Sequence, residues 1–255
     1  MSKIEDVFRG LRIEKRCALI PYFMAFYPDC RTFGNFLFSA QESGADIIEV
    51  GIPFSDPIAD GSAIQEAGSI ALSNGATVGR IFDLLQSLQS RLSIPLVIMS
   101  YVNLILRYGV RKFFESSSSC GIAGVVVPDL PVEESEEFKS AANGCGLDMI
   151  QFVAPTTSES RLPTIVKFAQ GFVYLVSLTG VTGARESHKF RINRYVKTVR
   201  RYTELPICVG FGIATPEQAA EVSRAADGVI VGSALVETVR RSKASAEREV
   251  GKFLR

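Results

Sequence analysis

Eight short apolar runs punctuate the chain, and a longer amphipathic stretch separates each run from the next. The runs are ALIPYFM (18–24), DIIEVG (46–51), PLVIMS (95–100), AGVVVPD (123–129), LDMIQFV (147–153), FVYLVS (172–177), PICVGFG (206–212) and DGVIVGS (227–233). Between them lie stretches with helical spacing, such as RTFGNFLFSAQESG, ATVGRIFDLLQSLQS and INRYVKTVRRY. Runs that are apolar at nearly every position suit strands covered on both faces, and strict alternation of strand with helix selects a parallel sheet. A further helical segment precedes the first run, with Ile4, Val7, Phe8 and Leu11 on one face. No G-x-G-x-x-G follows the first strand, so a closed barrel is favoured over an open doubly wound sheet. The expected fold class is α/β: a single (β/α)8 TIM barrel with an extra N-terminal helix, residues 1–255 forming one domain. The SSSS stretch at 116–119 reads as a helix C-terminus closed by Gly121.

Charge narrows the function classes. Lys plus Arg total 28 against 27 Asp plus Glu, so no net field gathers nucleic acid or an anionic membrane, and a bound phosphate must be held by local geometry. The N-terminus lacks the continuous apolar stretch of a signal peptide, and no apolar run approaches membrane-spanning length, which together predict a cytoplasmic protein. Cys17, Cys30, Cys120, Cys145 and Cys208 are scattered without a C-x-x-C pair and read as small buried hydrophobes, with no metal site.

In such barrels the active site lies at the C-terminal ends of the strands. Glu49 stands inside the apolar run IIEVG and shares a face with Ile47, whereas Ile48 and Val50 share the other. If its face is the lumen, the carboxyl is desolvated and able to give and take a proton near neutral pH; otherwise it is a structural group bonded to nearby hydroxyls. The loop GIPFSDPIADGSAIQEAG then carries Asp56 and Asp60, stiffened by Pro53 and Pro57. Asp60 is either a second carboxylate opposite Glu49 or a turn former before Gly61. Gly183, Gly212, Gly232 and Ser233 fall at the ends of the last three strand runs. There, backbone N–H groups, a hydroxyl and a helix N-terminus can converge on a phosphate without Lys or Arg. His188, the only histidine, has no metal-ligand spacing around it and reads as a solvated loop side chain.

The run IIEVGIPFSDPIADG continued by IQEA, then VPDLP, APT, YLVS, GVTGAR, GFGI and VGSA in that order, resembles the tryptophan synthase alpha family across essentially the whole chain. The resemblance implies Glu49 as general acid/base, Asp60 as the carboxylate at the indole N–H and Tyr174 as the residue that positions substrate near Glu49. Gly183, Gly212, Gly232 and Ser233 match the family's phosphate-binding positions. The implied reaction is retro-aldol cleavage of indole-3-glycerol phosphate to indole and glyceraldehyde 3-phosphate, with no cofactor in this chain. The pyridoxal phosphate of the complex belongs to the beta subunit. The implied partner is that beta subunit in an alpha-beta-beta-alpha heterotetramer, docked through a loop bearing Asp56 and exposed Phe54 and Ile58.

Several positions depart from the family pattern: Met24 and Phe26, expected near the substrate mouth, Ser62 after ADG, Leu104 after Asn103, and Leu178. The segment from Thr179 to His188 is expected to close over substrate. Two other readings remain: a catalytically weak alpha-like barrel that mainly activates the beta subunit, and another phosphate-binding barrel such as a phosphoribosyl isomerase. The second calls for an Asp on an early strand, and ALIPYFM has none.

Overall fold

A computed structural model describes residues 2–176, 185–210, 212–242 and 245–255. Each of the eight apolar runs contains a strand: β1 (Ala18–Met24), β2 (Ile48–Gly51), β3 (Leu96–Met99), β4 (Ile122–Val126), β5 (Asp148–Val153), β6 (Val173–Val176), β7 (Ile207–Gly210) and β8 (Gly228–Val231). The strands pair in parallel in sequence order, and β1 closes on β8 with Ala18 to Pro21 opposite Gly228 to Val231. The observed strands are shorter than the runs. Asp46, ahead of β2, is tied to β1 and its entry: its N–H donates to Leu19 O at 3.0 Å, its carboxylate accepts from the Leu19 N–H at 2.8 Å, and it pairs with Arg16 at 2.6 Å. Strand β4 ends at Val126, just before Pro128, which lacks the N–H a ladder needs.

The surrounding helices are α1 (Lys3–Glu14), α2 (Cys30–Glu42), α3 (Ser62–Ser73), α4 (Val78–Leu88), α5 (Val102–Tyr108) and α6 (Val110–Ser119). They continue with α7 (Glu136–Gly144), α8 (Leu162–Phe168), α9 (Arg185–Arg200), α10 (Pro216–Val222), α11 (Ser233–Ser242) and α12 (Ala246–Leu254). Side-chain caps fix several starts: Asp29 accepts from the Thr32 N–H, Thr77 from Arg80 and Thr215 from Gln218. The SSSS stretch does end a helix, α6, and Gly121 follows at φ 77°.

Helix α1 closes the N-terminal end of the barrel. A capping box of Ser2 and Glu5 starts it, and Ile4, Phe8 and Leu11 are buried. The Phe8 ring meets Phe172 edge-on at 6.1 Å, and Ser2 Oγ donates to Asp148 at the start of β5 at 2.6 Å. Charges at this end serve as ties: beside the Arg16–Asp46 pair, Asp227 binds Arg200 and accepts from the Ile207 N–H. Among the described residues no helix is long and apolar enough to cross a membrane, and no group of His, Cys, Asp and Glu could hold a metal ion. All five cysteines are free. Cys120 and Cys208 are buried as expected, whereas Cys17, Cys30 and Cys145 are only half-buried.

Candidate active site

Successive residues of a strand face opposite ways, so Glu49 and Gly51 share one face of β2. That face is the lumen: Glu49 is 2% exposed, and neither carboxyl oxygen has a hydrogen-bond partner of good geometry. Burial pushes its carboxyl up from 4.5 to about 8, the charge of Asp60 adds to the rise, and the neighbouring Tyr174 hydroxyl tempers it. A carboxyl in this state keeps its proton at neutral pH.

Asp60 comes down from the loop between β2 and α3. Turn bonds shape that loop, Ile58 N–H to Asp56 O at 2.9 Å and Asp60 N–H to Pro57 O at 3.1 Å. Gly61, not Asp60, is the N-cap of α3, so the Asp60 side chain is free to face inward. It bonds the Tyr101 hydroxyl, which also accepts from the Ala59 N–H at 3.1 Å. Tyr101 is itself anchored, because the next residue, Val102, donates its N–H to Asp129 Oδ1 at 2.9 Å. Burial raises the Asp60 carboxyl to about 6, with the Tyr101 hydrogen bond opposing the rise. The two carboxyl groups are thus set apart in titration, Glu49 above neutrality and Asp60 below it.

Two glycines make room for two phenols in the lumen. A Cβ on Gly51 would collide with the Tyr22 hydroxyl from β1, and one on Gly210 with the Tyr174 hydroxyl from β6. Tyr22 and Tyr174 thereby line a small cavity at the C-terminal end of the barrel, with Glu49 beneath it beside Tyr174. Asp60 stands in its wall, and Ile64, Met99, Ile213 and Ile230 supply apolar surface that suits a flat aromatic ring. One corner is built from Gly212 at φ 76°, Gly232 after β8, and Ser233, which opens the ten-residue α11. Backbone N–H groups at such a helix start attract an anion, and no Lys or Arg lines the cavity among the described residues.

The family model for the tryptophan synthase alpha chain matches residues 8–255. The chain belongs to the tryptophan synthase alpha chain family. The alpha chain of Carboxydothermus hydrogenoformans is 48% identical over 94% of this chain and 90% of its own length. That of Geobacter sulfurreducens is 43% identical over 100% of this chain and 97% of its own. Among solved structures, tryptophan synthase subunit alpha from Legionella pneumophila superposes with a TM-score of 0.92 at 31% identity, covering 100% of this chain and 96% of that one. A Mycobacterium tuberculosis tryptophan synthase structure gives 0.90 at 36% identity, covering 99% and 97%. Membership carries a lyase role in tryptophan synthesis and implies a beta-subunit partner.

Of the tryptophan synthase alpha positions singled out in the sequence, Asp60, Tyr174, Gly212, Gly232 and Ser233 line one cavity, and Glu49 lies beneath it. Gly183 and Leu178 fall outside the described residues, as does the part of the expected lid before Arg185. His188 lies in α9 and not in a loop, since the helix starts seven residues before INRYVKTVRRY. Met24 and Phe26 are buried, Met24 against Gly68 of α3 and Phe26 beneath the Arg80 guanidinium, 5.1 Å from its ring centre, and neither is among the described residues that line the cavity. Phe54 is corrected: it is half-buried, its ring 5.2 Å from that of Tyr101, while Ile58 is 82% exposed and Asp56 is exposed. Tyr22 and Tyr101 were missed. A tyrosine in or beside an apolar run passes for core, and the available signal for Tyr22 was a phenol one strand away from a glycine one lumen layer higher.

Proposed function

We propose that this chain cleaves indole-3-glycerol phosphate into indole and glyceraldehyde 3-phosphate by a retro-aldol reaction. The observation that carries the reading is the pair of carboxyl groups set apart on one cavity, Glu49 near 8 and Asp60 near 6. Opposed titrations of this kind assign an acid and an anion. Glu49 reaches the indole ring between the two lumen phenols and protonates C3. Asp60 accepts from the ring N–H, which gains acidity as positive charge develops on the ring. The bond from C3 to the hydroxyl-bearing carbon then breaks, and its electron pair restores the aromatic ring. The carboxylate left on Glu49 takes the hydroxyl proton as the aldehyde forms, so the enzyme ends in its starting protonation state.

Gly212, Gly232 and Ser233 hold the phosphate in this reading, with Gly183 as a fourth member carried over from the resemblance. Tyr174 positions the three-carbon arm against Glu49. The chain works as one domain in the cytoplasm, without a cofactor of its own, and docks on a beta subunit in an alpha-beta-beta-alpha complex through the loop bearing Phe54, Asp56 and Ile58. Indole release from indole-3-glycerol phosphate, measured with and without a beta subunit, tests the reading. Release by the chain in the complex is the expected result, and no release in either state overturns it.

A further inference from the structure

Tyr22 has an unusual position for a residue that the reaction above does not use. It stands opposite Glu49 in the β1–β2 ladder and is 6% exposed, yet it lines the cavity. Its ring lies against Gly232 in the anion corner, with Cδ1 3.3 Å from the place a Cβ would take there, and its hydroxyl fills the notch at Gly51. Because Gly51 sits one lumen layer above Glu49, the Tyr22 side chain runs from the phosphate corner to the two carboxyl groups. The facing titratable groups are Glu49 of β2, Asp60 of the following loop, Tyr101 after β3 and Tyr174 of β6. Among the described residues none hydrogen-bonds the Tyr22 hydroxyl. A phenol hydroxyl in the lining of a cavity can bond a polar group of a ligand seated there.

We propose that the Tyr22 hydroxyl is a further catalytic group that hydrogen-bonds the hydroxyl-bearing carbon arm of the substrate between the phosphate corner and Glu49. This rests on the substrate assigned above. With the phosphate at Gly232 and the ring N–H at Asp60, the arm has to pass along Tyr22, whose hydroxyl is the nearest polar group on the β1 side. Tyr174 holds the arm from the opposite wall, so the two phenols fix the reacting carbon over Glu49. A site that hydrogen-bonds a substrate hydroxyl discriminates against an analogue lacking it, because its own polar group is then left unpaired.

The test compares Tyr22→Phe with the parent chain, both in complex with a beta subunit. The cleavage rate constant kcat/KM for indole-3-glycerol phosphate is expected to fall about three- to tenfold, the scale of one neutral hydrogen bond. Affinity for indole-3-propanol phosphate, which keeps ring and phosphate but has no hydroxyl on its arm, is expected to stay within about twofold, since it never used that bond. Unchanged cleavage overturns the proposal. So does a parallel loss of affinity for the hydroxyl-free analogue, which would assign Tyr22 to packing. Failure of the underlying reading is separate, because the parent complex would then release no indole at all.

Discussion

Glu49 combines two things that usually exclude each other, a carboxyl and near-complete burial, with only the neighbouring Tyr174 hydroxyl to temper the cost. Its folded-state proton affinity is raised, so the native protein holds one proton more than the unfolded chain between about 4.5 and about 8. Stability therefore falls as pH rises through that window, and the loss is complete above it. Replacing Glu49 with Gln removes the penalty. We expect Glu49→Gln to melt above the parent at pH 9, by on the order of a few kcal/mol, and to match it more closely at pH 5. The same variant should lose about 100-fold to 10,000-fold in cleavage, the scale for deleting a general acid/base. Near-normal turnover would remove Glu49 from the mechanism. Catalysis has its own pH signature, since it needs Glu49 protonated and Asp60 ionised. For cleavage, kcat/KM should rise through about 6 and fall above about 8; a profile flat across both limbs would contradict the assignment. Glu49 was legible because a carboxyl in an apolar strand has few explanations. For Asp60 the local pattern left a turn former and a second carboxylate both open, the resemblance chose between them, and the Tyr101 contact and the cavity wall show that it faces inward.

At the scale of elements, the strands and their order were legible from the period of the apolar runs, whereas their ends were not. Strand ends are decided by the register between neighbours, such as that of β1 and β2, which begins with Tyr22 opposite Glu49. Phe26 shows the same limit in backbone geometry. It adopts φ 65°, a conformation that suits glycine. The side chain is retained in a buried position under Arg80, so the strain, roughly 1 to 2 kcal/mol, is set against a larger gain from burying the ring. The proposed anion corner is an element-level device too: in that reading the start of α11 and two glycines would do the work that a lysine does elsewhere. Ser233→Asp places a negative charge among those N–H groups. Binding of indole-3-propanol phosphate should drop below detection by calorimetry while the circular-dichroism spectrum stays that of the parent. Retained affinity would put the phosphate elsewhere.

At the scale of the whole molecule, the two ends of the barrel have different tasks. The N-terminal end is closed by α1 and tied by the Arg16–Asp46 and Arg200–Asp227 pairs, whereas the C-terminal end holds the cavity and the loop that leads to Asp60. That loop is fastened on its inner side, through Phe54 packed on Tyr101 and through the Ala59 and Asp60 contacts to the Tyr101 hydroxyl. Its outer side presents Asp56 and a nearly bare Ile58, an apolar side chain that a partner surface would cover. Tyr101 therefore connects the loop to Asp60. A beta subunit docked here would hold Asp60 in productive geometry more of the time, raising turnover without supplying a chemical group. Among the described residues the Asp56 carboxylate bonds only the Ser55 hydroxyl, and it is not among the groups that shift Glu49 or Asp60. We therefore expect Asp56→Ala to leave the slow cleavage by the isolated chain within about twofold of the parent while cutting the stimulation by a beta subunit by roughly tenfold, the worth of one interfacial hydrogen bond to a charged group. Steady-state indole release, titrated with increasing beta subunit, separates the two quantities. If Asp56→Ala loses cleavage in isolation as completely as Glu49→Gln while binding the beta subunit normally, the loop belongs to the chemistry and not to the partner.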